Sequence, residues 1–358
     1  MSVTVGIVTW NSASVIEACV ASVRAQTYRP LTLRILDNAS ADDTRERVKA
    51  ITAPDERLGA DRNLGFSAAH NRLIAGSSTE FYLCLNPDVV LTPGFVERII
   101  AAMGRDPRAG SATGKLLRMR EEGGSHSESA DRDVIDSTGI VMVPSQRHLD
   151  RGADRVDDGR YAREELVFGA SGAAAMYRRA MLDDARTPGG SVTRSVARGA
   201  GQGQGIDQGA ACGIDAGSEY FDEDFFAYRE DADLAWRAQL LGWNCVYVPD
   251  AVARHGRRVT PERRSALPAA INYYSVRNRF LLRMKNQTAG HAVRFLIPAV
   301  ARDLQVIGYV LLKERSSIGA LGDVMRLWRT TMIKRRAIMS RRRRPTTEMI
   351  AWFTRTDA

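Results

Sequence analysis

Cysteine is scarce in these 358 residues: the four that occur, Cys19, Cys84, Cys212 and Cys245, lie far apart with no Cys-x-x-Cys pair. That spacing argues against a zinc ribbon and against a secreted disulfide framework, and it fits a reducing cytoplasm. Long apolar runs are also missing. The longest, Phe295 to Leu312, is interrupted by Arg302 and Asp303 and is short for a membrane span. The opening Met1-Ser-Val-Thr-Val-Gly-Ile-Val-Thr9 lacks the basic start of a signal peptide and reads as a strand beginning at once. No Gly-x-Gly-x-x-Gly follows that strand. Gly110-Ser-Ala-Thr-Gly-Lys-Leu116 is one residue short of a phosphate loop and ends in Leu where Ser or Thr would hold magnesium. A dinucleotide-dependent dehydrogenase and a P-loop ATPase therefore fit poorly.

What is present suits a folded chain, with 44% hydrophobic and 26% charged residues. The net charge of +9 is unevenly placed: residues 265–358 hold 18 Lys and Arg against 5 Asp and Glu, whereas residues 1–264 hold 33 against 37. An acidic body, 1–264, thus precedes a basic helical extension, 265–358. A tail of this kind suits nucleic acid, anionic lipid or a phosphorylated acceptor, and charge alone does not choose.

Apolar runs and helical patterns alternate through the first hundred residues. Strands are expected at Val3–Thr9, Leu31–Asp37 and Glu80–Leu85, and helices at Ser14–Arg24, Asp42–Lys49, Phe66–Gly76 and Pro93–Met103. This alternation predicts an α/β fold with a mostly parallel sheet, in which ligands bind beyond the carboxyl ends of the strands. Shorter strands follow at Glu165–Phe168 and Ala173–Arg178, then a stretch, 186–218, with nine glycines in 33 residues that reads as a flexible insertion. A helix over Asp231–Leu241, closed by Gly242, and a strand over Asn244–Val248 come next.

Several strand-end residues carry chemistry. Asp37, in Asp37-Asn-Ala-Ser-Ala-Asp-Asp43, suits the imide of a pyrimidine base or ribose hydroxyls, or else a capped turn. Asp88, in Asn86-Pro-Asp-Val89, is placed by a rigid turn where a divalent ion would take one or two carboxylates and fill its shell with diphosphate oxygens; Asn-Pro-Asp is also an ordinary turn. Glu230, Asp231 and Asp233 crowd a helix start, which suits either a general base or simple helix-dipole pairing. His255 follows a strand and is either a metal ligand or a packing residue.

Their order and strand-end context resemble the inverting glycosyltransferase family 2, with a GT-A fold, and within it the bacterial rhamnosyltransferases. The resemblance rests on Val8-Thr-Trp-Asn11, Ile35-Leu-Asp-Asn-Ala-Ser40, Asn63-Leu-Gly-Phe-Ser-Ala-Ala-His-Asn71, Leu85-Asn-Pro-Asp-Val89, Gly169-Ala-Ser-Gly172 and Phe221-Asp-Glu-Asp-Phe-Phe-Ala-Tyr-Arg-Glu-Asp-Ala-Asp-Leu234, with Gly242-Trp243 and His255 following. It covers residues 1–285 and, more loosely, the tail. It implies that Thr9, Asn11, Asp37, Asn38, Asn63, Gly65, Phe66, Asn86 and Asp88 hold a nucleotide sugar, that Asp88 and His255 bind Mg²⁺ or Mn²⁺, and that Asp231 is the catalytic base. Gly169, Ser171, Gly172, Glu230 and Trp243 would meet the acceptor. Asn86 stands where many relatives have a first Asp, leaving one charge fewer for the metal.

The implied activity is single displacement of a sugar, favoured as L-rhamnose from dTDP-L-rhamnose, onto a glycan, possibly polyprenyl-diphosphate-linked, in cell-wall or polysaccharide biosynthesis. A UDP-sugar donor (galactofuranose, N-acetylhexosamine or hexose) is the alternative. The expected location is cytoplasmic, peripheral on the inner face of the membrane through the basic tail. The tail's leucines and valines suit packing on the catalytic body as well as lipid. Two rival readings stand beside it: a nucleic-acid binder, which leaves Asp88, Asp231 and His255 without a role, and a non-catalytic binding module that keeps the nucleotide-sugar pocket but loses turnover; no nucleic acid is expected.

Overall fold

The computed structural model describes residues 1–119, 133–189, 217–256 and 269–355. It begins with β1 (Val3–Thr9), α1 (Ile16–Arg24), β2 (Leu31–Asp37), α2 (Thr44–Ile51), β3 (Arg57–Gly59), α3 (Gly65–Ala75) and β4 (Phe81–Leu85). Then come β5 (Val89–Leu91), α4 (Phe95–Arg105), β6 (Ala109–Arg118), β7 (Ile135–Ser137), β8 (Ile140–Met142), β9 (His148–Asp150), β10 (Glu165–Val167), β11 (Ala174–Arg178) and α5 (Arg179–Asp184). β12 (Thr187–Pro188), β13 (Ser218–Glu219), α6 (Glu230–Leu240) and β14 (Asn244–His255) complete the sheet region. The helices α7 (Ala269–Asn286), α8 (Ala289–Arg294), α9 (Leu296–Leu312), α10 (Ile318–Arg326), α11 (Trp328–Met339) and α12 (Thr346–Ala351) follow.

The main sheet runs β10-β14-β6-β11-β4-β1-β2-β3. β3, β2, β1 and β4 are parallel, β11 is antiparallel between β4 and β6, and β14 is again parallel to β6. The carboxyl ends of β1, β2, β4, β6 and β14 therefore share one edge.

Side chains alternate across a strand, and both faces of this sheet are covered. Phe81, Leu83 and Leu85 join Val5 and Ile7 in a core closed by α1 and α4, whereas Tyr82 and Cys84 join a second core closed by α3 and α6. Gly110–Leu116 lies inside β6, so that stretch is strand and not a phosphate loop. β14 runs on to His255 instead of stopping at Val248; Pro249, which has no N–H to give, falls in a register shift between Val248 and Val252. Most of the glycine-rich stretch, 190–216, lies outside the described residues.

Helix α6 is buried at every residue except Asp231, because the sheet covers one side and the C-terminal helices cover the other. Its outer residues Trp236 and Leu240 pack with Leu281, Leu282, Phe295 and Phe353. Gly242 ends it in a left-handed conformation (φ +85°), the common helix stop.

The same contact buries charge. Lys285 of α7 bonds Asp222 and lies 2.8 Å from Asp233, and Arg237 reaches Asp233 at 2.9 Å. Lys334 of α11 bonds Asp222 and lies 2.6 Å from Glu219 and 2.8 Å from Asp224. Burial alone would raise the Asp222 carboxyl, but the two ammonium groups hold it well below the usual range. Burial likewise pushes Glu219 up, to about 8, against the pull of Lys334. The arginine run is also occupied: Arg341 caps the carbonyls of Asp184 and Arg186, Arg343 clasps the Asp184 carboxylate, and Arg344 binds the carbonyls of Gln239 and Trp243.

Replacing Lys334 by Met leaves Glu219 and Asp224 without this cation and Asp222 with Lys285 alone. Urea unfolding should show a loss of about 3–5 kcal/mol; a change below ~1 kcal/mol would mean the cluster is neutral or hydrated.

Candidate functional site

The polar residues at the carboxyl edge of the sheet form two linked groups. In the first, β1 and β2 end side by side, with Thr9 opposite Asp37. The Thr9 hydroxyl donates to Asp37 Oδ1 at 3.2 Å, while Arg45 Nε and the Ser40 N–H donate to Oδ2 at 3.2 and 3.4 Å. A carboxylate has about four lone-pair positions, so one remains for a base or a ribose. Asn11, at φ +50°, accepts from the Ala41 N–H at 2.8 Å and gives its own N–H to Ser40 Oγ at 3.0 Å, which locks the two strand ends together. Asn38 donates to Asn63 Oδ1 at 3.0 Å and accepts from the Leu64 N–H at 2.8 Å, fastening the start of α3 to the end of β2. Phe66 turns inward, 4.3 Å from the His70 ring and 5.9 Å from that of Phe221. Asn71 is structural as well, clasping the Phe221 backbone with two hydrogen bonds of 2.8 Å.

In the second group, the turn after β4 meets β14 and α6. Val89 pairs with His255 across β5 and β14, and the Gly256 N–H donates to the Asp88 carbonyl at 2.9 Å. His255 Nε2 then stands 3.4 Å from Asp88 Oδ1, with Nδ1 2.7 Å from Asp136 Oδ2. Burial works against a protonated ring, yet the hydrogen bonds to Asp136 and Asp88 prevail and raise its pKa to about 9. An imidazole facing a carboxylate, with a second carboxylate orienting the ring from behind, is a donor pair that fits a divalent cation sharing its shell with phosphate oxygens. Among the described residues no group of three or more His, Cys, Asp or Glu could hold a metal alone, so the substrate would have to complete the shell.

The Asn86 N–H donates to the Ala173 carbonyl at 2.9 Å, and the neighbouring Gly172 N–H donates to Asp231 Oδ2 at 2.9 Å. The turn bearing Asp88 is thus two short bonds from the start of α6. Burial raises the Asp231 carboxyl above the ordinary aspartate range, against the pull of the Gly172 and Ala232 N–H groups. Glu230 is buried beside it with Oε2 unpaired among the described residues; burial and then Asp231 push its carboxyl well up. Gly169 is one turn further along α6, where a Cβ would meet that of Ala235 at 2.3 Å, and Ser171 is buried between it and Gly172.

Trp243 is not brought to this edge. It precedes β14, whose far end carries His255, and its indole donates to Asp184 at 2.7 Å beside a cavity of about 430 Å³ lined by Arg108, Arg343 and Glu348. Twelve residues of strand separate it from His255, on the order of 35–40 Å of extended chain. The acceptor contact expected of Trp243 is therefore corrected: its indole belongs to the packing of the opposite edge.

The segment leading into α6 is strained. Phe226, Tyr228 and Arg229 all have left-handed φ, between 63° and 73°, a conformation that costs about 1–3 kcal/mol per non-glycine residue. Two features hold it. Gly65, at φ +80°, leaves room for Phe226, whose carbonyl would lie 2.5 Å from any Cβ there. From α7, the Asn278 amide nitrogen lies 2.8, 2.9 and 2.8 Å from the carbonyls of Phe225, Ala227 and Tyr228, which share its two N–H donors, and Arg277 Nε fixes its oxygen at 3.1 Å. Asp136 and Asn278 were missed from the sequence. Asp136 had a faint signal, a carboxylate inside a short apolar strand; Asn278 had none.

The sequence profile of glycosyl transferase family 2 matches residues 4–186. The chain is 28% identical over 279 residues to the N-acetylglucosaminyl-diphospho-decaprenol L-rhamnosyltransferase of Mycobacterium tuberculosis, covering 75% of this chain and 80% of that protein. Among solved structures, S. aureus TarS 1–349 in complex with UDP-GlcNAc aligns with a TM-score of 0.52 at 16% identity, covering 95% of this chain and 91% of that one. A longer S. aureus TarS structure gives a TM-score of 0.51 at 16% identity over 99% of this chain and 54% of that one. The fold is that of the GT-A glycosyltransferases.

Asn278→Ala should lower the unfolding free energy by about 1–3 kcal/mol and speed hydrogen exchange in residues 225–229 while the sheet amides stay protected. Unchanged exchange in that segment would show that Gly65 and the helix start hold it without α7.

Proposed function

Given that this chain belongs to glycosyl transferase family 2 and is a glycosyltransferase, we propose that it moves L-rhamnose from dTDP-L-rhamnose to a hydroxyl of a polyprenyl-diphosphate-linked glycan, in cell-wall or polysaccharide assembly. The observation that carries the mechanism is the pair of bonds joining the Asp88 turn to Asp231 through Ala173 and Gly172. It supports a reading in which the leaving-group end and the base share one strand edge. The rhamnose assignment is supported by the similarity to the mycobacterial rhamnosyltransferase, whose name specifies a diphospho-decaprenol-linked N-acetylglucosamine.

In this reading Thr9, Asn11, Asp37 and Asn38 shape the nucleoside pocket, with Asn63 and Gly65 flanking it. Asp88 and His255 hold Mg²⁺ or Mn²⁺ with the donor diphosphate, Asn86 rigidifying the turn. Such an ion, when bound, stabilises charge on the departing diphosphate. Asp231 accepts the acceptor proton as the hydroxyl attacks the anomeric carbon from the face opposite the leaving group. Its two backbone N–H bonds aim the carboxylate, and burial makes it a stronger base than a solvated aspartate. Glu230, whose carboxyl burial and then Asp231 push well up, and the Gly169–Gly172 segment shape the acceptor side. One displacement inverts the anomeric centre, and no carboxylate nucleophile is required.

Nucleotide release from a panel of dTDP- and UDP-sugars, with and without Mg²⁺ or Mn²⁺ and a lipid-diphosphate glycan, tests this. dTDP-L-rhamnose should turn over only with acceptor and metal, and Asp231→Asn should lose about 10²–10⁴-fold in turnover while still binding donor. Preference for a UDP-sugar would replace the donor assignment; wild-type turnover in the variant would remove Asp231 as the base.

The pH profile offers a second check. Because the folded Asp231 carboxyl titrates above its ordinary value, activity should fall as the pH drops through that raised value, placing the acid limb of kcat/KM above pH ~4. A limb at or below that value would mean that the base is a well-solvated carboxylate.

A further inference from the structure

No helix among the described residues is long and apolar enough to cross a membrane, yet α9 carries an apolar stripe that the other described residues leave exposed. Leu296, Ile297, Val300, Leu304 and Leu311 recur at helical spacing and are exposed, Ile297 at 82% and Leu304 at 65%. They fall within about 100° of the helix circumference, the width of a face that ordinarily packs against something. The rotation of α9 is fixed. Ala299 and Val310 are buried on its inner side, and Asp303 is bound by Arg279 at 3.1 Å and by Arg283, both from α7.

Charge frames the stripe. Arg294 is exposed before it, and Lys313 and Arg315 are exposed after it. The nearby acids are turned away: Asp303 is held by the α7 arginines, and Glu314 is buried. The basic run at Arg341–Arg344 is a poorer docking surface, since three of its four members grip carbonyls and a carboxylate of the body.

We propose that α9 lies flat in the headgroup layer of an anionic bilayer, its leucine and isoleucine side chains entering the acyl boundary and its terminal cations meeting lipid phosphates. This rests on the reading above, in which the acceptor is lipid-linked. A helix of 17 residues is about 25 Å long and suits the interface plane. The charge pattern favours lipid over a second copy of the chain. In an antiparallel pair Arg294 would face Lys313 and Arg315, and in a parallel pair each cation would face its twin, so both arrangements set like charges together. Because α7 holds both Asp303 and the loop before Asp231, the docking helix and the base are joined through one rigid element.

The test is co-sedimentation of the full chain with vesicles of phosphatidylcholine alone and of phosphatidylcholine with phosphatidylglycerol, without substrates, so that it is independent of the donor assay. Wild type should bind the anionic vesicles and bind less as salt rises. Ile297→Glu with Leu304→Glu should weaken binding by about tenfold or more per site while nucleotide release with a water-soluble acceptor analogue is kept. Should that variant unfold, Ile297→Ser with Leu304→Ser carries the same expectation, with urea unfolding as the control. The proposal is overturned if wild type does not bind anionic vesicles, if folded variants bind as wild type does, or if sedimentation velocity shows a wild-type dimer that the substitutions turn into a monomer.

Discussion

The structure depends on the neutralisation of buried carboxylates by two lysines from the far end of the chain. Asp222 and Asp233 flank the loop and helix that bear the candidate base, and both are shut away from water. Removing such charges from solvent without partners costs several kcal/mol each. Lys285 and Lys334 supply the partners, so the C-terminal helices complete the interior of the first half. Part of the uneven charge along the sequence, an acidic body before a basic end, is therefore an internal pairing folded shut.

That closure determines how the site is held. For the proposed metal pair, geometry comes from the sheet: Asp88 stands just before β5, His255 closes the β14 strand paired with it, and Asp136 of β7 orients the imidazole. On the base side, it comes from a left-handed loop that would relax if released. Asn278 satisfies its carbonyls, Arg277 reaches the carbonyls of Asp224 and Phe225, and Lys334 binds the Asp224 side chain. The sheet alone places Asp88 and His255, whereas the loop before the proposed base also leans on α7 and α11.

Local signals were legible in the sequence wherever local physics decides structure. The strands around Val3–Thr9 and Leu31–Asp37, the four early helices and the Gly242 stop emerge within a residue or two, because periodicity and capping are short-range. That Thr9, Asp37 and Asp88 would share one edge was legible because parallel strands bring their carboxyl ends together. Trp243 was misplaced for the complementary reason: it follows the α6 motif closely in sequence, but an α-helix and then a strand carry the chain from one edge of the sheet to the other and back. Asp136, Asn278, Lys285 and Lys334 act across 50 to 120 residues of chain, and nothing in their neighbours' pattern marks a lysine that will be buried from one that will be solvated.

The buried lysines also limit how this protein can be recombined with its relatives. A hybrid joining residues 1–256 to foreign helices inherits the carboxylates at 219, 222 and 224 without their lysines, and Asp233 with Arg237 alone, unless the incoming segment brings ammonium groups to the same two points. Acquiring new acceptor or surface preferences by exchange of the C-terminal helices is thus constrained by an electrostatic compatibility rule far from any substrate. Sequence drift at Asp222 and at Lys334 must proceed together.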